Sequence, residues 1–168
     1  MLPLISYLTT GVQLPNIHDW NKFARTCKYL HSTRHMPLIL EGCSLNSIKW
    51  YIYVSFAVHH NIRSHTGMTM KMCKGCIYGA SGIQKINTKS STEAELVGVS
   101  DALPQVIWPR NFLRAQGYHI NDSVNYQENH STIRLYNNGR ASSSRRTCHI
   151  DIRYFFFTDR IKSKEVKI

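Results

Sequence analysis

Two short segments of the chain place carboxylates where they could hold a metal ion. Glu95 lies in KSSTEAEL (Lys89–Leu96), whose serines and threonine predict the start of a helix. Glu128 lies in YQENHSTI (Tyr126–Ile133), directly after a short predicted strand. Carboxylate oxygens are preferred ligands of Mg²⁺, and ligands often gather at the strand ends of α/β sheets. Together the two segments indicate a candidate divalent-metal site.

Each carboxylate also has a purely structural interpretation. Thr92 and Glu95 have the spacing of a helix capping box, as have Ser90 and Glu93. Glu128 could be an exposed glutamate at a strand end. Taken singly, each residue fits its structural interpretation better, and only the combination favours a metal.

The segment before Glu95 has the period of a β-sheet. Residues of alternating polarity over Lys49–Val58 predict a first strand. One face would carry Ile48, Trp50, Ile52, Val54, Phe56 and Val58, and the other Lys49, Tyr51, Tyr53, Ser55 and His59. Further strands are predicted over Thr66–Cys73, Cys76–Ala80 and Ser123–Tyr126, and Glu165–Ile168 begins to alternate like a fifth.

Apolar residues at helical spacing predict the helices that must position these carboxylates. The segment after Ser90 contains Pro104 and Pro109, and an interior proline costs about 3 kcal/mol, so two helices divided near Ala102–Gln105 are expected. Other helices are expected from about Asp19 to Leu30, over Asn129–Leu135 and over Ile150–Ser163. We therefore expect a helical appendage (1–36) before a main α/β domain (37–168).

The charge balance favours a polyanionic partner. The 168 residues contain 21 Lys+Arg against 10 Asp+Glu, for a formal net charge of +11. Such an excess is typical of nucleic-acid-binding proteins, although a solvated basic surface would have the same composition. Arg140, Arg145 and Arg146 lie among serines in a predicted loop, and such donors commonly contact phosphates.

The cysteine count and hydropathy predict an intracellular protein. Five irregularly spaced cysteines argue against a secreted disulfide framework, and no run approaches the roughly 20 apolar residues of a membrane span. A cytoplasmic or nuclear protein that is neither secreted nor membrane-bound is expected.

Cys73 and Cys76 have the spacing of half a zinc site, but no second pair follows. His59, His60 and His65 are interpreted as exposed polar residues around a turn.

The chain resembles the ribonuclease H region of copia-type LTR retrotransposon Pol polyproteins. The resemblance is carried by SFAVHHNIRSHTG (55–67), QKINTKSSTEAELVGVSDALPQ (84–105), YQENHSTI (126–133) and NGRASSSRRTCHIDIRYFFFTDRIKSKEV (138–166). The stretch DWNKFARTCKYLHSTRHMPL (19–38) is similar to the connection between the reverse transcriptase and ribonuclease H of those polyproteins. The resemblance implies an RNase H-like fold with a mixed five-stranded sheet flanked by helices.

The same resemblance implies an activity and a set of catalytic positions. The activity is hydrolysis of the RNA strand of an RNA–DNA hybrid by two Mg²⁺ ions held by carboxylates. The family's helix glutamate corresponds to Glu95, and its aspartate after the fourth strand corresponds to Glu128. The aspartate of its first strand corresponds to Tyr53, a neutral phenol near pH 7. The family's fourth carboxylate lies in a terminal helix beyond the fifth strand, which this sequence does not reach.

These departures predict a degenerate, C-terminally truncated domain with little or no activity and an impaired Mg²⁺ site. An alternative is a non-catalytic module that binds nucleic acid through its basic loop and last helix. The oligomeric state is not predicted by any feature of the sequence.

Overall fold

The structure is a computed structural model that describes residues 1–41, 47–138 and 151–168, with the backbone alone for 151–155. Along these residues the chain forms α1 (Leu2–Thr9), α2 (Ile17–Thr33), β1 (Ser47–Ser55), β2 (His65–Met72), β3 (Gly75–Ile83), α3 (Ser91–Ala115), β4 (Asp122–Tyr126), α4 (His130–Asn138) and α5 (Asp151–Lys162). No helix among them is both long enough and apolar enough to cross a membrane.

The strands form a mixed sheet in the order β3-β2-β1-β4. β1 is antiparallel to β2 and parallel to β4. The predicted α/β class is therefore confirmed, but the five-stranded sheet is not, because the described residues form four strands. Beyond β4, Lys167 makes a single parallel bridge to Val124, with backbone hydrogen bonds of 2.8 Å to Ser123 and Asn125.

The core lies between one face of the sheet and α3, α4 and α5. On β1 the alternation predicted from sequence is observed, because Ile48, Trp50 and Ile52 are at most 1% exposed. The strand ends at Ser55, however, so Phe56 and Val58 are 40% and 49% exposed instead of buried. The chain turns away at Ala57, whose φ of 51° is incompatible with a continuing strand.

The predicted division of the third helix is wrong. α3 runs unbroken through Pro104 and Pro109. The physical reason is that its apolar stripe continues past Pro104, with Leu103 and Val106 fully buried, and Leu113 packs on the core beyond Pro109. Pro104 itself lies on the exposed side. Packing of the buried stripe offsets the free energy lost with the helical hydrogen bonds that the prolines remove.

The first two helices precede the sheet. α2 begins at Ile17, with Asn16 as its N-cap and Asp19 completing a capping box, close to the predicted start. α1 was not predicted as a helix, and it packs on β3 and β2. A Cβ on Gly79 of β3 would lie 2.9 Å from Cδ1 of Leu2, so α1 packs closely on this strand position. A domain boundary near residue 36 stays a prediction.

Candidate functional site

The N-terminal turn of α3 is capped by Glu93, which leaves Glu95 available. Oγ of Ser90 accepts a hydrogen bond from the Glu93 backbone at 3.2 Å, and Oε2 of Glu93 accepts one from the Lys89 backbone at 2.7 Å. The capping interpretation of Glu95 is therefore wrong, because the first of the two possible boxes supplies the cap. Glu95 lies half-buried two residues further along the same helix.

Gly98 brings α3 close to the sheet and so places Glu95 at the end of β1. A Cβ at Gly98 would lie 2.4 Å from Cγ2 of Val54 and 3.2 Å from Oγ1 of Thr66. Only a glycine allows this approach without displacing one of these side chains. At this distance the Val54 backbone N–H donates a hydrogen bond to the Glu95 carboxylate.

Gln127 links Glu95 to Glu128. Nε2 of Gln127 donates to Oε2 of Glu95 at 3.0 Å, and Oε1 of Gln127 accepts from the Glu128 backbone at 2.8 Å. Sequence reasoning missed this residue. Its role depends on α3 and the end of β4 meeting in space, and the only local signal is its position between the strand and Glu128.

The environment of Glu95 disfavours its charge. Burial raises the pKa of this carboxyl above its ordinary value of 4.5, and the nearby Glu128 carboxylate raises it further. Hydrogen bonds from Gln127 and from the Val54 N–H act in the opposite direction and lower the pKa. The Glu95 and Glu128 carboxylates are thus close enough to repel each other, and Glu128 itself is exposed.

Tyr53 lies near the C-terminal end of β1. It directly precedes Val54, pairs with Gly67 of β2 and is 48% exposed. Its ring lines a cavity of about 310 Å³ that is also lined by Met1, Leu2 and Pro3 at the start of α1. At the position where the resemblance expects a carboxylate, the structure therefore has a phenol in a largely apolar cavity.

The donor set does not fit a pair of metal ions. Two adjacent Mg²⁺ ions need several carboxylate oxygens, at least one of which bridges them. Among the described residues, no three His, Cys, Asp or Glu side chains are grouped so that they could hold one ion. Glu95 and Glu128 are two carboxylates, and one of the Glu95 oxygens is already bonded to an amide.

The predicted phosphate contacts Arg140, Arg145 and Arg146 lie outside the described residues.

The prediction that His59, His60 and His65 are exposed is wrong for two of them, because His59 and His65 are only 8% and 5% exposed. Nε2 of His59 lies 2.9 Å from Nδ1 of His65, whose Nε2 lies 2.7 Å from Oγ of Ser81. Burial and hydrogen bonding account for this pair without a metal.

The zinc alternative is not supported at the two cysteines. Cys73 is disulfide-bonded, and Cys76 is a free thiol whose Sγ donates to the Tyr78 carbonyl at 3.2 Å. The two sulfurs are therefore in different chemical states and do not form half of a zinc site.

Comparison with known proteins supports the resemblance. The chain is 29% identical over 165 residues to the retrovirus-related Pol polyprotein from transposon TNT 1-94 of Nicotiana tabacum. That match covers 98% of this chain and 12% of the polyprotein, so the chain spans a small part of its relative's length. No protein-family model matches the chain.

Solved structures give the fold. LC11-RNase H1, isolated from compost by a metagenomic approach, superposes with a TM-score of 0.50 at 12% identity, over 73% of this chain and 83% of that one. A ribonuclease H1 from Halobacterium salinarum NRC-1 superposes with a TM-score of 0.42 at 12% identity, over 70% of this chain and 75% of that one. The chain has an RNase H-like fold and resembles a segment of a retrotransposon Pol polyprotein.

Proposed function

We propose that this chain is the RNase H-like domain of a copia-type Pol polyprotein that has lost the hydrolysis of RNA–DNA hybrids. The observation that carries the proposal is the bond between Gln127 and Glu95. An amide N–H occupies an oxygen of the helix carboxylate, and the same Gln127 side chain also accepts from the backbone of Glu128. Hydrogen bonds from Gln127 and the Val54 N–H stabilise the Glu95 carboxylate without a metal, while burial and Glu128 raise its pKa.

Tyr53, at the position that corresponds to the family's first-strand aspartate, supports the same proposal. A phenol is a poorer ligand for Mg²⁺ than a carboxylate. Glu128 retains a charge, but its side chain is longer than the aspartate that the resemblance implies at this position. Mg²⁺ requires near-ideal octahedral geometry, so this extra methylene weakens the site further.

Binding of nucleic acid is a second proposed function, and it needs no metal. It is supported by the net charge of +11 and by the ribonuclease names of the proteins that share the fold. Arg140, Arg145 and Arg146 are its proposed phosphate contacts. Replacing Arg145 and Arg146 by alanine should reduce the slope of log affinity against log salt for a duplex by about 1 per lost phosphate contact. An unchanged slope would remove both arginines from the interface.

The loss of the metal site is tested by titrating the chain with Mn²⁺, which binds oxygen ligands and is detected by magnetic resonance. We expect no saturation at millimolar Mn²⁺ for the natural chain. The double substitution Tyr53→Asp, Glu128→Asp should tighten binding by on the order of tenfold or more, because charge count sets affinity for hard cations. Glu95→Gln in that background should abolish the gain. Saturable binding by the natural chain that is lost in Glu95→Gln would contradict the proposal.

A further inference from the structure

The face of the sheet opposite α3 carries a pair of stacked tyrosines. Tyr51 of β1 and Tyr126 of β4 are register partners, and their rings lie 4.9 Å apart at an interplanar angle of 9°. Their neighbours Trp50 and Asn125 point into the core and are 1% exposed, so the tyrosines point away from it. Tyr126 is 43% exposed. We call this surface, formed by Lys49, Tyr51, Lys71 and Tyr126, the tyrosine face.

The tyrosine face carries positive charge. Nζ of Lys71 lies 5.6 Å from the centroid of the Tyr51 ring, on β2 next to β1. Lys49 is exposed and is the register partner of Lys71. Within residues 1–41, 47–138 and 151–168 neither lysine has an ion-pair partner. The acidic residue on this side of β4, Asp122, is paired with Lys167 at 2.5 Å. The charge on this face is therefore uncompensated at Lys49 and Lys71.

One side of the stack has no further partner in the described structure. Lys71, Tyr51 and Tyr126 follow one another, and no other ring in the described part of the chain contacts Tyr126. α1 covers the β3 and β2 side of this face. An exposed aromatic on a sheet with lysines alongside is the arrangement on which proteins stack unpaired nucleobases.

We propose that the tyrosine face binds single-stranded nucleic acid. A base stacks on Tyr126 and extends the row formed by Lys71, Tyr51 and Tyr126 by one ring. The flanking phosphates are neutralised by Lys49 and Lys71. Stacking accepts any base, since every base has a π-face, so the binding has little sequence preference. Tyr126 lies two residues before Glu128, so a strand held here runs beside the carboxylate pair without needing metal there.

The experiment compares two fluorescently labelled oligonucleotides of about 12 residues by anisotropy, a length within the usual site size. One is oligothymidylate, and the other is abasic with the same phosphates. The natural chain should bind the abasic strand more weakly by on the order of tenfold, the range expected for one stacked base. Tyr126→Leu should remove this difference, and Tyr126→Phe should preserve it. Tyr118→Leu, at a tyrosine that is 50% exposed, is the matched control and should change nothing.

Equal binding of the two strands by the natural chain would overturn the proposal, and so would no binding at all. Either result would be expected if another protein segment covers this face. Discrimination that survives in Tyr126→Leu would also overturn it. The comparison of the two oligonucleotides uses the natural chain, so its result is valid even if the leucine variant unfolds. Anisotropy is measured without added divalent metal, which separates this proposal from the one on the metal site.

Discussion

Gln127 donates its amide N–H to Oε2 of Glu95 at 3.0 Å, so the helix carboxylate is held by a neutral group from the end of β4. This hydrogen bond favours the charged form of Glu95, whereas burial and the Glu128 carboxylate favour the protonated form. The balance raises the pKa of Glu95 above 4.5. The protonation of Glu95, and with it the charge of this site, follows from that balance.

Removing the Gln127 amide should raise the pKa of Glu95 still further. Gln127→Leu deletes the hydrogen bond that stabilises the carboxylate, while burial and Glu128 remain. The side-chain carboxyl resonance of Glu95, followed by ¹³C NMR against pH, measures this directly. Gln116→Leu, at an exposed position just after α3, is the control and should leave the titration unchanged. A pKa that falls in Gln127→Leu would contradict the arrangement.

The sign of the accompanying stability change follows from linkage. A carboxyl whose pKa is higher in the folded than in the unfolded state retains protons on folding, so stability falls as pH rises through the interval above 4.5. Glu95→Gln removes this titration. We expect the variant to gain stability relative to the natural chain above that interval, with the difference shrinking at lower pH.

Gly98 should tolerate no side chain. Gly98→Ala places a methyl group 2.4 Å from Cγ2 of Val54, which forces α3 and β1 apart. Overpacking of this kind costs about 1–3 kcal/mol. Urea unfolding measures the loss, and Gly67→Ala is the control because nothing lies within 4 Å of its added Cβ. Equal stability of the two variants would mean that the helix does not approach the strand as described.

Asn125 should be replaceable with a gain in stability. It is 1% exposed, and neither amide atom has a hydrogen-bond partner within the described part of the chain. An unsatisfied buried polar group costs about 1–3 kcal/mol, so Asn125→Leu should stabilise the fold by part of that amount. Asn121→Leu, at an exposed position, should change stability by less than about 0.5 kcal/mol. A loss of stability in Asn125→Leu would show that the amide has partners.

The buried histidines should make the fold sensitive to mild acid. Burial lowers the pKa of both His59 and His65 below 6.5, with smaller contributions from His60 to the first and from His59 to the second. A histidine with a depressed pKa binds fewer protons folded than unfolded, so stability is full above 6.5 and is lost as pH falls below it. Melting curves at several pH values should show this loss. His59→Gln should flatten the pH dependence, and His119→Gln, at an exposed position, should not.

The first strand could be predicted because burial alternates along it. The Ile48, Trp50 and Ile52 face of β1 is strongly apolar, so its period is visible without any tertiary information. The course of α3 could not be predicted in the same way. The free-energy cost of proline inside a helix is local and predicts a break in α3. The packing that offsets this cost comes from β1, α4 and α5, which are distant in sequence.

The candidate site could be predicted only in outline. Glu95 and Glu128 could be named from their segments, but the choice of Glu93 as the cap depends on which of two equivalent spacings the loop adopts. Gln127 and the His59–His65 pair are long-range contacts with no periodic signal. The Tyr51–Tyr126 stack depends on the pairing of β1 with β4, which no short motif in the sequence encodes.

The most direct test of the central claim is a cleavage assay on a labelled RNA–DNA hybrid with millimolar Mg²⁺ or Mn²⁺. The account predicts no cleavage above background, for the natural chain and for Glu95→Gln alike, although both are folded. EDTA-sensitive cleavage by the natural chain that disappears in Glu95→Gln would show that Glu95 and Glu128 still support metal-dependent hydrolysis, and it would contradict the account.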